Sequence, residues 1–165
     1  MKNKNNSAPM RNAKDLFLRG NRKYLQGNFQ GAINDMTAAI ALSPDSIYPY
    51  IGRGNTKTAI SDFVGAIEDL TIAISKNPKL HDSYCCRATA KHNSGDYLGA
   101  IADFTSAIEL EPNDASPYYF RALSYLGLNQ ELNALLDIGK AKVLGYSIPK
   151  DIWDKYKDNF IIIYK

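Results

Sequence analysis

The chain has 165 residues, 45% of them hydrophobic and 22% charged, with a formal net charge of +3. This composition excludes a disordered chain and fits one compact domain or a short repeat array. It also lacks the clustered basic excess of a dedicated nucleic-acid binder. The two cysteines, adjacent at Cys85 and Cys86, build no disulfide framework and point to a reducing compartment.

In chain order, residues 1–12 read as a flexible polar tail. Charges such as Lys2 and Lys4 are followed by no apolar core, so the stretch is not a secretory signal. From residue 13 the chain repeats itself. Prolines fall at Pro44, Pro78 and Pro112, each 34 residues apart. Four more columns share the period: Ala32, Ala66, Ala100 and Ala134; Ala39, Ala73, Ala107 and Ala141; Arg19, Arg53, Arg87 and Arg121; Asp35, Asp69, Asp103 and Asp137. The units run 13–46, 47–80, 81–114 and 115–148, without insertion.

Each unit holds two apolar stretches of helical spacing. The third shows it best, with residues 84–92, then the turn signal Ser94-Gly95-Asp96, then Ala100, Ile101, Phe104, Ala107 and Ile108 on one helix face. Pro112 closes the unit, because proline biases the residue before it away from helix. The fourth unit departs, with Glu131 at the aromatic position and Tyr146 at the proline. After Pro149, residues Ile152, Trp153, Tyr156, Phe160 and Ile163 lie close to one helical face. They predict a capping helix over 150–163, within a C-terminal segment of about 149–165. No run is long enough to cross a membrane; residues 160–164 are the densest. A cytoplasmic location is the expected default.

These features resemble the tetratricopeptide repeat family. The resemblance rests on the small residue of the first helix (Gly20, Gly54, Ala88, Ala122), the aromatic before the second (Phe29, Phe63, Tyr97), the two alanine columns and the closing proline. It implies an all-α fold, a right-handed α-solenoid of four helix–turn–helix repeats plus a C-terminal capping helix, over residues 13–165. It also implies a concave groove lined by the first helix of each repeat.

The chemistry-bearing residues are few. No phosphate loop or dinucleotide fingerprint occurs. His81 and Cys85 are four apart and could meet one metal, but His92 lies eleven residues from His81, roughly 16 Å along a helix. The cluster thus offers two ligands where a structural zinc site needs four. Free thiols on a groove-facing helix are the simpler reading, and neither metal nor cofactor is expected. A Cys–His nucleophilic pair lacks an orienting third residue, so no enzyme activity is expected.

The Arg and Asp columns could form an anion ladder. More simply they are structural pairs, Arg19 with Asp35, Arg53 with Asp69, Arg87 with Asp103 and Arg121 with Asp137, because an arginine reaching between helices needs a carboxylate there. The resemblance places Phe17, Asn21 and Tyr24 of repeat one in the groove, with Tyr48, Ile51 and Asn55 of repeat two. It adds Cys85, Thr89 and His92 of repeat three and Tyr119 and Leu123 of repeat four. Asn21 and Asn55 hold equivalent positions, and stacked amides can hold an extended peptide backbone.

The function expected is therefore a non-enzymatic adaptor or scaffold that binds a protein or peptide segment in its groove. One family variant clamps the terminal carboxylate of chaperone tails. Its positions fall here on Phe17, Asn21, Gly52, Asp82 and Cys86; only Asn21 fits, and Asp82 would repel a carboxylate. A chaperone C-terminal tail is accordingly not the expected ligand. Two alternatives stand beside the adaptor. One is a homo-oligomer built through the C-terminal helix, where Ile161 and Ile162 point off the capping face. The other is anion or nucleic-acid binding through Lys2, Lys4, Arg11, Lys14, Arg22 and Lys23.

Overall fold

A computed structural model describes residues 12–163, with side chains through Tyr156. The helices among the described residues are α1 (Ala13–Leu25), α2 (Phe29–Leu42), α3 (Tyr48–Ala59), α4 (Phe63–Lys76), α5 (His81–Asn93), α6 (Tyr97–Leu110), α7 (Ser116–Gly127), α8 (Glu131–Val143) and α9 (Lys150–Ile163). The fold class is all-α helical repeat. Consecutive helices pair into hairpins, α1 with α2, α3 with α4, α5 with α6 and α7 with α8. The chain forms two compact units, Met1–Lys76 with the first two hairpins and Asn77–Lys165 with the other two and α9. The expected tail falls outside the described residues except for Asn12, which caps α1 by accepting from the Asp15 N–H at 2.8 Å.

Local chemistry explains where each hairpin turns. The second helix of the first three hairpins starts on a capping side chain. Asn28, Asp62 and Asp96 accept from the N–H of Gly31, Gly65 and Gly99 at 2.9, 3.0 and 2.9 Å. Glycine belongs at the receiving position, because a Cβ on Gly65 would lie 2.5 Å from Asp62 Oδ2. The fourth hairpin has Gln130 and Asn133 there, and these side chains bond each other at 3.0 Å instead. Just before each cap the chain takes a positive φ, at Gly27 (74°), Ser61 (63°), Gly95 (88°) and Asn129 (57°). The turn is thus set by period, and serine and asparagine adopt it at some cost.

Each hairpin closes over one large buried side chain at a single register position: Met36, Leu70, Phe104 and Ile138, all at or near zero exposure. Full burial of such a side chain is worth about 1.5–3 kcal/mol. Opposite them sit Gly20, Gly54, Ala88 and Ala122. In the second unit Ile152, Trp153 and Tyr156 of α9 pack on Ala122, Ala134, Leu135 and Ile138. Lys142 of α8 lies 2.9 Å over the Trp153 ring. The remaining residues of the expected capping face, Phe160 and Ile163, and the proposed self-association residues Ile161 and Ile162, fall outside the described side chains.

Candidate functional site

The Arg and Asp columns form four repeated ion clusters. Arg19 reaches Asp35 through Nε at 2.7 Å and Nη2 at 2.5 Å, and Arg53 reaches Asp69 at 2.9 and 2.6 Å. Arg87 holds Asp103 at 2.8 and 2.7 Å, and Arg121 holds Asp137 at 2.7 and 2.8 Å. Every one of these carboxylates is buried. Burial alone would raise the Asp35 pKa, but hydrogen bonds from Arg19 and Lys23 outweigh it and hold the carboxyl below its ordinary value. Such pairs fix helix register by two-point geometry.

Two columns that sequence reasoning missed complete these clusters. Lys23, Lys57 and Lys91 add a second cation to Asp35, Asp69 and Asp103 at 2.8, 2.9 and 2.8 Å. In repeat four Tyr125 stands at that position, and the Arg121 guanidinium lies 5.9 Å from its ring and 5.7 Å from that of Tyr118. The other column is threonine. Arg53 Nη1 donates to Thr37 at 3.0 Å and Arg121 Nη1 to Thr105 at 2.9 Å, so each arginine ties its own hairpin to the preceding one. Both columns keep the 34-residue spacing, which is the signal that could have found them. Lys23, one of the cations named for anion or nucleic-acid binding, is thus paired with Asp35.

The candidate groove residues divide between the units. In the first, Phe17 of α1 and Tyr48 of α3 meet with ring centroids 6.3 Å apart, and Tyr48 is 60% exposed. An open cleft of about 380 Å³ lies beside them, lined by Lys14, Leu18, Ser43, Ser46 and Pro49 among others. Asn21 and Asn55 are half-buried, and no hydrogen bond engages either amide within the described residues. Ile51 is half-buried, and Tyr24 is exposed with its ring edge-on to Phe29 at 5.7 Å.

The second unit satisfies its groove candidates internally. Tyr119 corrects the expectation of a groove residue: it is 6% exposed and stacks on Tyr146 at 4.6 Å. The aromatic that replaces proline at 146 supplies the partner that buries it. Leu123 packs on the same cluster. Thr89 donates its hydroxyl to the Cys85 carbonyl at 2.9 Å. Ser124 Oγ donates to the Phe120 carbonyl at 3.1 Å, so it accepts from His92 Nδ1 at 2.9 Å. Burial pushes the His92 pKa down.

Burial first, then Cys86, Asp114, Asp82 and Glu111, pushes the Cys85 thiol up to about 12. His81 Nε2 lies 2.9 Å from Asp114 Oδ2, with its Nδ1 3.3 Å from Asp82 and 3.7 Å from Glu111. This joins the start of α5 to the turn before α7. Among the described residues no three His, Cys, Asp or Glu side chains form a metal-holding group. No described helix is long and apolar enough to cross a membrane.

Residues 81–114 match the family described as Tetratricopeptide repeat. No curated protein matches the chain. Among solved structures, a crystal structure of MamA is 23% identical with a TM-score of 0.75, covering 81% of this chain and 78% of that one. MamA residues 41 to the end from Desulfovibrio magneticus RS-1 are 16% identical with the same TM-score, covering 81% and 75%. The first tetratricopeptide domain of Spaghetti (RPAP3), solved bound to the HSP90 peptide SRMEEVD, is 23% identical with a TM-score of 0.68, covering 71% and 93%.

Proposed function

With residues 81–114 a tetratricopeptide repeat and the chain carrying that fold, we propose that this protein is a non-enzymatic adaptor that holds a protein or peptide segment against the exposed face of α1 and α3. The observation that carries the reading is the aromatic cleft of the first unit. Phe17 and Tyr48 offer apolar area at low entropic cost, and Asn21 and Asn55 offer uncommitted donors and acceptors one repeat apart. A solved structure of the same fold, the first tetratricopeptide domain of Spaghetti (RPAP3), is bound to the HSP90 peptide SRMEEVD. The non-enzymatic part rests on unactivated nucleophiles. The Cys85 thiol stays protonated at neutral pH, and the Ser124 hydroxyl is spent on a backbone carbonyl.

The test compares partners recovered by the intact chain with those recovered by Tyr48→Ala/Asn55→Ala. Both side chains reach the surface, so the melting temperature should hold within a few degrees. The expected result is loss of one common set of partners. Equal recovery of every partner would reject this face.

A further inference from the structure

The first helix of the array has a side that its own repeats show how to fill. In the first unit, α3 is covered by the helix before it, α2. Met36 crowds Gly52, where a Cβ would lie 2.8 Å from its Cε, and Thr37 takes the third hydrogen bond of Arg53. In the second unit, α6 covers α7 in the same way. Phe104 stacks on Phe120 at 6.2 Å, and Thr105 takes the third hydrogen bond of Arg121. The occupant therefore brings the same pair each time, a large apolar side chain followed by a hydroxyl. The apolar side chain lands on the residue before the arginine, and the hydroxyl on the arginine itself.

The equivalent side of α1 has no such cover among the described residues, where α1 packs only on α2 and α3. Leu18 stands where Gly52 and Phe120 stand, and is 48% exposed. Arg19 engages Asp35 through Nε and Nη2 only, and its side chain is 38% exposed against 18% for Arg53 and 15% for Arg121. Arg22 stands where Thr56 and Ser124 are fully buried; it is exposed and forms no ion pair with a described residue. Leu25, one turn further, is 83% exposed.

We infer that this side of α1 is a second docking surface, and that its occupant is an amphipathic acidic helix of a partner protein. The chemistry follows residue by residue. Leu18 and Leu25 call for apolar side chains. The third nitrogen of Arg19 calls for a hydroxyl or carboxylate. Arg22 calls for a carboxylate, because an unpaired charge closed off from water is costly. Residues 1–11 carry Lys2, Lys4 and Arg11 and no acid, so their sequence offers no carboxylate to Arg22. The surface shares Leu18 with the cleft of Phe17 and Tyr48 but rests also on Arg19, Arg22 and Leu25, which do not line that cleft.

The probe is the chain's own covering helix, a fluorescein-labelled peptide of residues 28–43 carrying I33E, which places a carboxylate one turn before Met36 and Thr37. Anisotropy with the intact chain should show saturable binding. Leu18→Asp and Arg22→Glu, both at exposed positions, should each weaken it at least tenfold while the helical melt is retained. Tyr48→Ala/Asn55→Ala should leave it unchanged. A peptide carrying I33K should bind the Arg22→Glu variant better than the intact chain. Equal binding to all variants, or none to the intact chain, overturns the proposal. So does dimerisation of the chain that Leu18→Asp abolishes, which would make the occupant a second copy. Preferential binding of a 20-nucleotide RNA or of anionic vesicles at the same residues overturns it as well.

Discussion

The first unit crosses its hairpins on glycine and the second on alanine. Gly20 and Gly54 face Met36 and Leu70, while Ala88 and Ala122 face Phe104 and Ile138. At Gly54 the glycine follows from the shape of the opposite side chain. Leu70 branches at Cγ, so a Cβ on Gly54 would lie 2.7 Å from that carbon and 3.2 Å from both methyls. Ala88 instead packs with the flat ring of Phe104 in one buried cluster. A repeat therefore holds its spacing by matching pairs across the hairpin, not by keeping one residue type in a column. The same pairing logic separates the ion clusters: three aspartates carry two cations each, and Asp137 carries Arg121 between two tyrosine rings.

The largest expected effect tests the clusters. Asp69→Ala leaves Arg53 and Lys57, each about four-fifths buried, without a carboxylate. It should cost about 3 kcal/mol of unfolding free energy in urea melts. Asp137→Ala orphans one cation that keeps its aromatic faces and should cost about 1–2 kcal/mol less. Equal losses at the two sites would break the distinction between double and single pairing.

A smaller effect tests the crossings. Gly54→Ala must push branched Leu70 aside and should destabilise by about 1–3 kcal/mol. Gly20→Ala meets the Met36 Cε at 2.9 Å, the far end of a flexible chain. The roughly 1 kcal/mol gain in helix propensity should then offset most of the contact, leaving stability within about 1 kcal/mol of the parent. If the two substitutions cost the same, shape matching across the hairpin is not what selects glycine.

Most of this framework was legible in the sequence because a period of 34 places equivalent residues in equivalent surroundings. The arginines, aspartates, alanines and prolines all recur in register with the hairpins. Less legible were contacts that depend on residues outside the period. Tyr119 reads as a groove residue by register, yet Tyr146, in a segment that departs from the repeat, stacks on it and closes it from solvent. The lysine and threonine columns were overlooked because each changes type once, to Tyr125 and to Gly139. Polar residues at tolerant positions carry no hydrophobic signal to draw notice. Among the described residues the buried hydroxyl of Ser83 has no hydrogen-bond partner, and it stands at the position where Pro49 and Pro117 fill the equivalent space. Proline there needs no partner, and serine inherits its burial.

The smallest effect lies at one more matched pair. Tyr24 packs edge-on against Phe29 in the first unit, and at the same register His92 packs edge-on against Tyr97 in the second, at 5.7 and 5.3 Å. The second pair contains a histidine, and burial holds His92 below its ordinary value of 6.5. A base with a lowered folded pKa contributes stability that is complete above its unfolded pKa and is lost as pH falls through the folded one. Acidification from pH 7.5 toward 5.5 protonates the unfolded chain first, so the melting temperature of the intact chain should drop by ~1–2 °C more than that of His92→Gln. The amide in that variant can still donate toward Ser124 but takes up no proton in this range. A parallel pH response in both chains would show that the buried imidazole is not the titrating joint, and that the two units differ at this position in shape alone.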